Sequence, residues 1–351
     1  MDLGDFTIDL RAAADPYELA ATIALCGGIE GPGPASLPPL TAPMGWEMLF
    51  DSPAIGGFAN RWQLWKSPGG RYAVVIRGTV CGNFSSILED LMAVMIPATG
   101  SIQVAAGRLP YSFAQDPKAA VHLGFAIGAL LLMLDGTNGI LAKIQSLVPG
   151  GSDLIITGHS QGAAIATLVR AYFEHAEPAL MVPFDQSEIR TYLWAQPKPG
   201  NDHFARDFER IIQAYRITNS EDWVPQLPLS LQLLASLNGP NPLSVLPGEG
   251  LVKLFEAGLG ILAHHVEGIH TAKFLPQILG LDVATLYPPA AKTVIPGRPG
   301  APVDIAGGLN FEPAGIPITL TGKPGLDPAN AGDSWWQHHA AMYASLLPRP
   351  G

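Results

Sequence analysis

The sequence predicts an α/β protein with a mostly parallel sheet that is covered by helices on both faces. Short apolar, β-rich segments alternate with helix-like segments between residues 71 and 218, which is typical of parallel strands joined by crossover helices. Hydrophobic residues make up 48% of the 351 residues and charged residues only 14%, so the chain can form a large core. No internal repeat and no clear linker divides it, and we therefore expect one domain over residues 1–351.

The individual elements follow from local composition. A helix is expected over 17–26 and a buried strand over 71–79, where the sequence RYAVVIRGT is β-branched and apolar. Apolar residues at helical spacing cover 121–147, with a break at Gly136. Further predicted elements are short strands over 153–158, 190–195 and 214–218, a helix over 161–174, one hairpin around 316–320 and a final helix over 335–347.

Charge and hydropathy exclude several classes of protein. The 20 Lys and Arg against 30 Asp and Glu give a net charge of −10, which argues against binding nucleic acid. The longest apolar run, 123–134, is too short to span a bilayer. The N-terminus carries Asp2, Asp5 and Asp9 and does not read as a signal peptide. We expect a soluble chain, either cytoplasmic or a leaderless or processed secreted form, whose two cysteines, Cys26 and Cys81, form one bridge or stay reduced.

One motif indicates chemistry. Residues 158–162 read Gly-His-Ser-Gln-Gly, which fits the pattern G-x-S-x-G between a predicted strand and a predicted helix. A sharp strand-to-helix turn leaves no room for a Cβ atom at Gly158 or Gly162, and it exposes the Ser160 hydroxyl at the edge of the sheet. The pattern therefore predicts that Ser160 is a nucleophile.

A nucleophilic serine needs a general base and an acid that orients the base. In this architecture the acid and the histidine follow the serine in chain order. Asp222 comes directly after a predicted strand, where a carboxylate can face the crevice above the sheet. The last segment offers two adjacent histidines, His338 and His339.

Five segments in order resemble the class 3 lipases, the fungal-lipase-like branch of the α/β-hydrolases. They are VIRGT at 75–79, VHLGF at 121–125, IITGHSQG at 155–162, AQPKPGN at 195–201 and YRITNSEDWVPQLP at 215–228. The resemblance covers roughly residues 71–228 and the C-terminal histidine. It implies an α/β-hydrolase fold, with Ser160 as nucleophile, Asp222 as acid and the backbone N–H groups of Thr79 and Gln161 as the oxyanion hole.

The resemblance also bears on the base. The family often has a tyrosine five residues after its catalytic histidine, and Tyr343 has that spacing from His338, with His339 as the runner-up. Two features depart from the family. Gln161 replaces a usual leucine, and the separation of 116 positions from Asp222 to His338 exceeds the usual one.

The segment after Thr79 is a candidate lid, which we place at 83–97. Its helical stretch, 83–96, is amphipathic. One face is apolar and consists of Phe84, Ile87, Leu88, Leu91, Met92 and Met95. The family carries its lid at this point, whereas the plain alternative is a helix that covers the core. Asp90 is the candidate to brace Thr79, as a matching Asp does in the family, and a solvated surface charge is the alternative.

A second apolar unit, a cap or insert at about 229–275, precedes the histidines and could line an acyl pocket, form another cap or bury a dimer face. With a lid, it favours a lipase that acts on acylglycerols and transiently contacts a lipid–water interface. Carboxylesterase, phospholipase A1 and feruloyl esterase use the same triad, and a non-catalytic binding scaffold is the alternative from another class. No cofactor and no metal are expected, and the oligomeric state stays open.

Overall fold

A computed structural model gives the architecture, and it describes residues 14–55, 60–78, 95–104, 107–175, 189–228, 310–333 and 335–348. The strands of these residues are β1 (Glu47–Asp51), β2 (Trp62–Lys66), β3 (Tyr72–Ile76), β4 (Met95–Pro97), β5 (Thr99–Val104), β6 (Gly107–Ser112), β7 (Ala120–His122), β8 (Leu154–His159), β9 (Ile189–Trp194), β10 (Gly200–Asn201), β11 (Ala214–Asn219), β12 (Phe311–Glu312) and β13 (Ile316–Leu320). The α-helices are α1 (Pro16–Glu30), α2 (Leu123–Leu134), α3 (Ile140–Leu147), α4 (Gln161–His175), α5 (Asp202–Phe208) and α6 (Ala340–Leu346), and two 3₁₀ turns cover Val224–Gln226 and Trp336–His338.

A seven-stranded sheet with the order β1-β2-β3-β8-β9-β11-β13 forms the centre of the described residues. The β1/β2 and β2/β3 pairs are antiparallel, and every pair from β3 to β13 is parallel. The carboxyl ends of β3, β8 and β11 therefore meet at one edge. Gly78, Ser160 and Asp222 each follow one of these three strands, and the topology brings them to that edge.

Alternate residues of the central strands face two separate cores, as a strand's period of two requires. Val74 and Ile156 pack on the side of α2, α3 and α4. Val75 and Ile155 pack on the other side, against α1 and α6. The sheet is thus covered on both faces, which explains why its central strands are apolar throughout.

The smaller sheets lie outside this centre. Strands β12, β10, β7 and β4 form a four-stranded antiparallel sheet, and β5 and β6 form a two-stranded one. In the first of these, Asn201 accepts a hydrogen bond from the Ala120 N–H at 3.0 Å and also caps α5.

Most of the predicted elements are confirmed. The strands expected over 71–79, 153–158, 190–195 and 214–218 correspond to β3, β8, β9 and β11, and the helices expected over 17–26 and 161–174 correspond to α1 and α4. The predicted break at Gly136 separates α2 from α3, although 121–122 belong to a strand rather than to the helix. The segment 335–347 begins with a 3₁₀ turn before α6.

Two expectations were wrong. Residues 316–320 do not form a hairpin, because β13 pairs in parallel with β11 and so completes the edge of the central sheet. The amphipathic helix expected over 83–96 does not include Met95 and Ile96, since both lie in β4, where Met95 is paired with His122 and is 1% exposed. The remainder of the candidate lid (83–94) and the insert at 229–275 lie outside the described residues.

None of the described helices combines the length and the apolar composition needed to cross a membrane. Cys26 is a free, buried thiol whose Sγ lies 3.6 Å from Thr157 Oγ1. Burial raises the pKa of this thiol, and a buried, protonated thiol is chemically inert.

Candidate active site

The turn between β8 and α4 is as tight as the glycines of the motif predict. A Cβ at Gly158 would lie 2.2 Å from the Gly162 carbonyl oxygen, and a Cβ at Gly162 would lie 2.3 Å from the Ile76 carbonyl oxygen. Ser160 itself has a φ of 58°, in the left-handed region that costs an ordinary residue free energy. The hydrogen bond from its N–H to the Trp194 carbonyl and its place before α4 hold it in this conformation.

His338 connects the serine to the acid. Its Nε2 lies 2.8 Å from Ser160 Oγ, and its Nδ1 lies 2.8 Å from Asp222 Oδ2. A carboxylate only accepts hydrogen bonds, so the neutral imidazole carries its proton on Nδ1 and presents an unprotonated Nε2 to the serine. All three residues are buried, and Ser160 is the most exposed of them at 9%.

The Asp222 carboxylate has three donors around it. Besides His338, it accepts hydrogen bonds from the Tyr343 hydroxyl at 2.7 Å and from the Val224 N–H at 3.0 Å. Burial by itself would raise the pKa of Asp222, but these donors and the nearby imidazole lower it. Tyr343 in turn accepts a hydrogen bond from the Asn219 N–H, and the acid is therefore ionised and held in one orientation.

The pKa of His338 is lowered, mainly because its ring is buried. The hydrogen bond from its Nδ1 to Asp222 acts in the opposite direction. At neutral pH the ring is therefore neutral and can accept a proton, which is the state that a general base requires.

The neighbouring His339 faces elsewhere. Its Nε2 lies 2.9 Å from Asp333 Oδ2, and its side chain is 32% exposed. The structure brings His338, and not the runner-up His339, to Ser160 and Asp222. The two residues diverge because His338 ends the 3₁₀ turn while His339 precedes α6.

The other predicted site residues are distributed as follows. Gln161 is buried and begins α4, so its backbone N–H lies at the positive N-terminal end of that helix, next to Ser160. Met95 is in β4, as described above. Thr79, Asp90, Phe84, Ile87, Leu88, Leu91 and Met92 lie outside the described residues.

An aromatic pair borders the triad. Trp223 follows Asp222, Trp335 precedes His338 by three residues, and their ring centroids are 4.8 Å apart. Both indoles are 42% exposed, and the Trp335 ring centroid lies 5.7 Å from that of His338. Two exposed tryptophans thus form an apolar surface beside the base.

Sequence reasoning gave no role to two further residues at the site. The Nδ1 of His159 lies 2.8 Å from Glu30 Oε1, and its Nε2 lies 2.8 Å from the backbone oxygen of His338. Nothing in the local sequence of α1 pointed to Glu30, which is 129 residues away in the chain. In the described ranges, no cluster of His, Cys, Asp and Glu is suited to hold a metal ion.

The site contains a serine, a histidine and a carboxylate in that spatial order, at the carboxyl edge of a mostly parallel sheet. The serine lies on a strand-turn-helix. This is the arrangement of the α/β-hydrolases. The family comparison agrees with this class. The model of the class 3 lipases matches residues 73–232, which include most of β3, the β8–α4 turn and Asp222.

One curated protein with similarity to part of the chain is named as a lipase. The secreted mono- and diacylglycerol lipase 1 of Fusarium solani is 29% identical over 147 residues, which are 38% of this chain and 39% of that lipase. The match thus spans about two-fifths of the relative.

Three solved structures are similar to parts of the chain. A fungal lipase–inhibitor complex has a TM-score of 0.45 at 19% identity and covers 61% of this chain and 74% of its own. The triacylglyceride lipase of Rhizomucor miehei has a TM-score of 0.44 at 18% identity, covering 62% and 77%. A lipase from Rhizopus microsporus var. chinensis has a TM-score of 0.43 at 19% identity, covering 62% and 71%.

Proposed function

We propose that this protein hydrolyses carboxylic esters, with acylglycerols as the preferred substrates, through an acyl-enzyme on Ser160. The observation that carries the proposal is the position of His338. Its Nε2 lies 2.8 Å from Ser160 Oγ, and its Nδ1 lies 2.8 Å from Asp222 Oδ2. The match of the class 3 lipase model to residues 73–232 supports the same reaction.

The geometry supports the following proton transfers. His338 Nε2 takes the Ser160 proton as Oγ attacks the ester carbonyl carbon, and the resulting imidazolium is stabilised by the ionised Asp222. The imidazolium then protonates the leaving alkoxide oxygen. A water molecule, deprotonated by His338 in the same way, attacks the acyl-enzyme and regenerates Ser160.

The tetrahedral intermediate needs donors for its oxyanion. The Gln161 backbone N–H is one proposed donor, because it lies next to the nucleophile where the dipole of α4 favours negative charge. The second proposed donor is the Thr79 backbone N–H, which follows Gly78 at the end of β3 in the sequence. Removing one such donor typically costs about 10²–10³ in kcat.

The choice of acylglycerols depends on apolar groups near the triad. Trp223 and Trp335 offer a partly exposed apolar surface beside His338, on which an acyl chain can pack. The sequence of the candidate lid has one apolar stripe. This pattern supports a lid that turns its apolar stripe outward at a lipid–water interface. The similar protein of Fusarium solani is named a mono- and diacylglycerol lipase, which points to the same substrate class.

The decisive experiment compares ester hydrolysis by the wild-type protein and three variants. The substrates are p-nitrophenyl esters from C2 to C16 and emulsions of mono-, di- and triacylglycerols. We expect Ser160→Ala and His338→Ala each to reduce kcat by about 10⁶. His339→Ala removes the adjacent, chemically identical side chain and is the matched control, which should keep wild-type turnover.

Three results would contradict the proposal. Wild-type activity in Ser160→Ala would exclude Ser160 as the nucleophile. Loss of activity in His339→Ala but not in His338→Ala would exclude His338 as the base. Equal turnover of acetyl and long-chain esters, with no rise in rate at the solubility limit, would favour a carboxylesterase over a lipase.

A further inference from the structure

His159, directly before the nucleophile, has a hydrogen-bond acceptor at each ring nitrogen. The carboxylate of Glu30 lies 2.8 Å from Nδ1, and the backbone carbonyl oxygen of His338 lies 2.8 Å from Nε2. The ring is 3% exposed, so water does not compete for either nitrogen. Two short contacts to acceptors on one buried imidazole need an explanation in terms of its protons.

A neutral imidazole has a single N–H and can donate to only one of two acceptors. Both contacts are hydrogen bonds when His159 is doubly protonated and Glu30 is ionised. Burial by itself lowers the pKa of His159, but the charge of Glu30 and the hydrogen bond to it outweigh burial and raise the pKa. The pKa of Glu30 is lowered, although burial opposes this, because His159 pairs with it. The two directions agree with an ion pair.

The pair lies against the catalytic centre. The ring centroid of His159 is 4.8 Å from that of His338 and 5.8 Å from that of Tyr343. A Cβ placed on Gly78 would lie 2.8 Å from Glu30 Oε1 and 3.3 Å from Ser160 Cβ. Glu30, the last residue of α1, therefore reaches the strand end that precedes Thr79.

We propose that Glu30 and His159 form a second, charged acid–histidine pair that positions the backbone of His338 and keeps its ring in the neutral, proton-accepting form. They are positioning residues and do not touch the reacting atoms. This inference rests on the proposed function, because it assigns the two residues a part in the same ester hydrolysis.

The positioning follows from the hydrogen bond to the His338 carbonyl. His338 lies at the end of a 3₁₀ turn, where its N–H donates to the Trp335 carbonyl, and its own carbonyl is held by His159. The main chain of the base is thereby fixed on both sides. The ring can then align Nε2 with Ser160 without losing entropy on substrate binding.

The electrostatic effect follows from the charge of His159. A cation 4.8 Å from the His338 ring disfavours a second positive charge there, while the more distant Glu30 carboxylate favours it. Among the described residues, the other titratable or charged groups that face this pair are Asp222, Tyr343, His339, Arg77 and Cys26. Asp222 favours the imidazolium of both histidines, so removal of His159 takes away the cation that opposes the effect of Asp222 and Glu30 on His338.

The first test reads the protonation state directly and does not depend on activity. Protein labelled with ¹⁵N-histidine is studied by NMR from pH 5 to 9, and the His159 signals are assigned by their loss in His159→Gln. We expect both ring nitrogens of His159 to have the shifts of protonated nitrogen at pH 7, and Glu30→Gln to abolish this. A single protonated nitrogen at pH 7 in the wild-type protein overturns the proposal, even if the wild type hydrolyses every ester.

The second test measures kcat/KM as a function of pH. The fall of kcat/KM at acid pH, its acid limb, reports the pKa of the general base in the free enzyme. His159→Gln should lower kcat about tenfold and move the acid limb up by about one pH unit, since a neighbouring cation is lost while Glu30 stays charged. The double variant Glu30→Gln/His159→Gln should return the limb part of the way.

The matched control is His203→Gln, which removes the histidine of a half-exposed pair with Asp116 on another part of the surface. It should leave both kcat and the limb unchanged. A limb of His159→Gln that coincides with the wild type overturns the proposal, whether or not kcat falls. If the wild type is inert on every ester, the proposed function fails and the NMR test still decides the charge of the pair.

Discussion

Helix α1 carries one carboxylate to each end of the central sheet, and the two have different partners. Glu18, in its first turn, binds Arg71, directly before β3, and accepts a hydrogen bond from the hydroxyl of Tyr192 in β9. Glu30, its last residue, pairs with His159, where β8 ends. Both pairs link the same helix to the same sheet, but only the second lies beside Ser160.

The partners explain the difference. An arginine stays protonated throughout the accessible pH range, and Glu18 can only hold the helix on the sheet. A histidine gains or loses its proton near neutral pH, so its charge responds to its surroundings and can influence a neighbouring base. The Glu18–Arg71 pair is thus suited to stabilise the fold, and the Glu30–His159 pair lies beside the candidate active site.

Among the variants that test this comparison, Asp222→Asn should have the largest effect, because it changes the candidate acid beside His338. The amide would donate to His338 Nδ1 and force the proton onto Nε2, the wrong tautomer for accepting the Ser160 proton. We expect kcat to fall about 10⁴-fold in an ester assay. The control is Asp333→Asn, which removes the carboxylate bound to His339 and should not change kcat. Equal losses in the two variants would contradict the assignment of the acid.

Glu18→Gln tests the other end. It leaves Arg71 and the Tyr192 hydroxyl facing a neutral group, and we expect the free energy of unfolding to fall by about 2 kcal/mol in urea denaturation while kcat stays unchanged. Asp51→Asn is the control, since it breaks the more exposed pair with Arg61 and should cost less than about 1 kcal/mol. A loss of activity without a loss of stability in Glu18→Gln would contradict the view that Glu18 contributes only to stability.

Tyr343→Phe removes one of the three donors around Asp222. The acid would be held less firmly, and we expect kcat to fall about tenfold, the equivalent of one hydrogen bond to a charged group. Tyr111→Phe removes a hydroxyl of the same kind, which donates to the Pro97 carbonyl, and should leave kcat unchanged. An unchanged kcat in Tyr343→Phe would show that its hydroxyl does not help to orient Asp222.

The smallest effect concerns the pH dependence of stability. Because the pKa of Glu30 is lowered in the folded state, its ionised carboxylate stabilises the fold above pH 4.5. This stabilisation is lost as the pH falls below that value. Because the pKa of His159 is raised in the folded state, its protonated ring stabilises the fold below pH 6.5. This stabilisation is lost as the pH rises through the pKa of the folded state. The difference in unfolding free energy between wild type and Glu30→Gln should therefore be largest between pH 4.5 and 6.5, as urea denaturation across pH can measure. A constant difference from pH 4 to 9 would speak against an ion pair.

Much of the fold could be predicted from the sequence because its signals are local. Strand β8, the turn at Gly158 and Gly162 and helix α4 follow one another in the chain, and their composition and glycine positions suffice to predict them. The edge strand β13 could not be predicted in the same way. Its five residues pair in parallel with β11, about 100 residues earlier, and no local pattern distinguishes such a strand from half of a hairpin.

The same distinction holds for the candidate site. The sequence by itself pointed to Ser160 as the candidate nucleophile, to Asp222 as the candidate acid and to two adjacent histidines as candidates for the base, because these residues lie in short segments of recognisable local pattern. Only the tertiary structure decided that His338 faces Ser160 and that His339 faces Asp333, since two adjacent residues differ only in how the final turn packs on the sheet. It also brought Glu30 to His159 across 129 residues, a contact that depends on how α1 packs against the sheet and that no local pattern encodes.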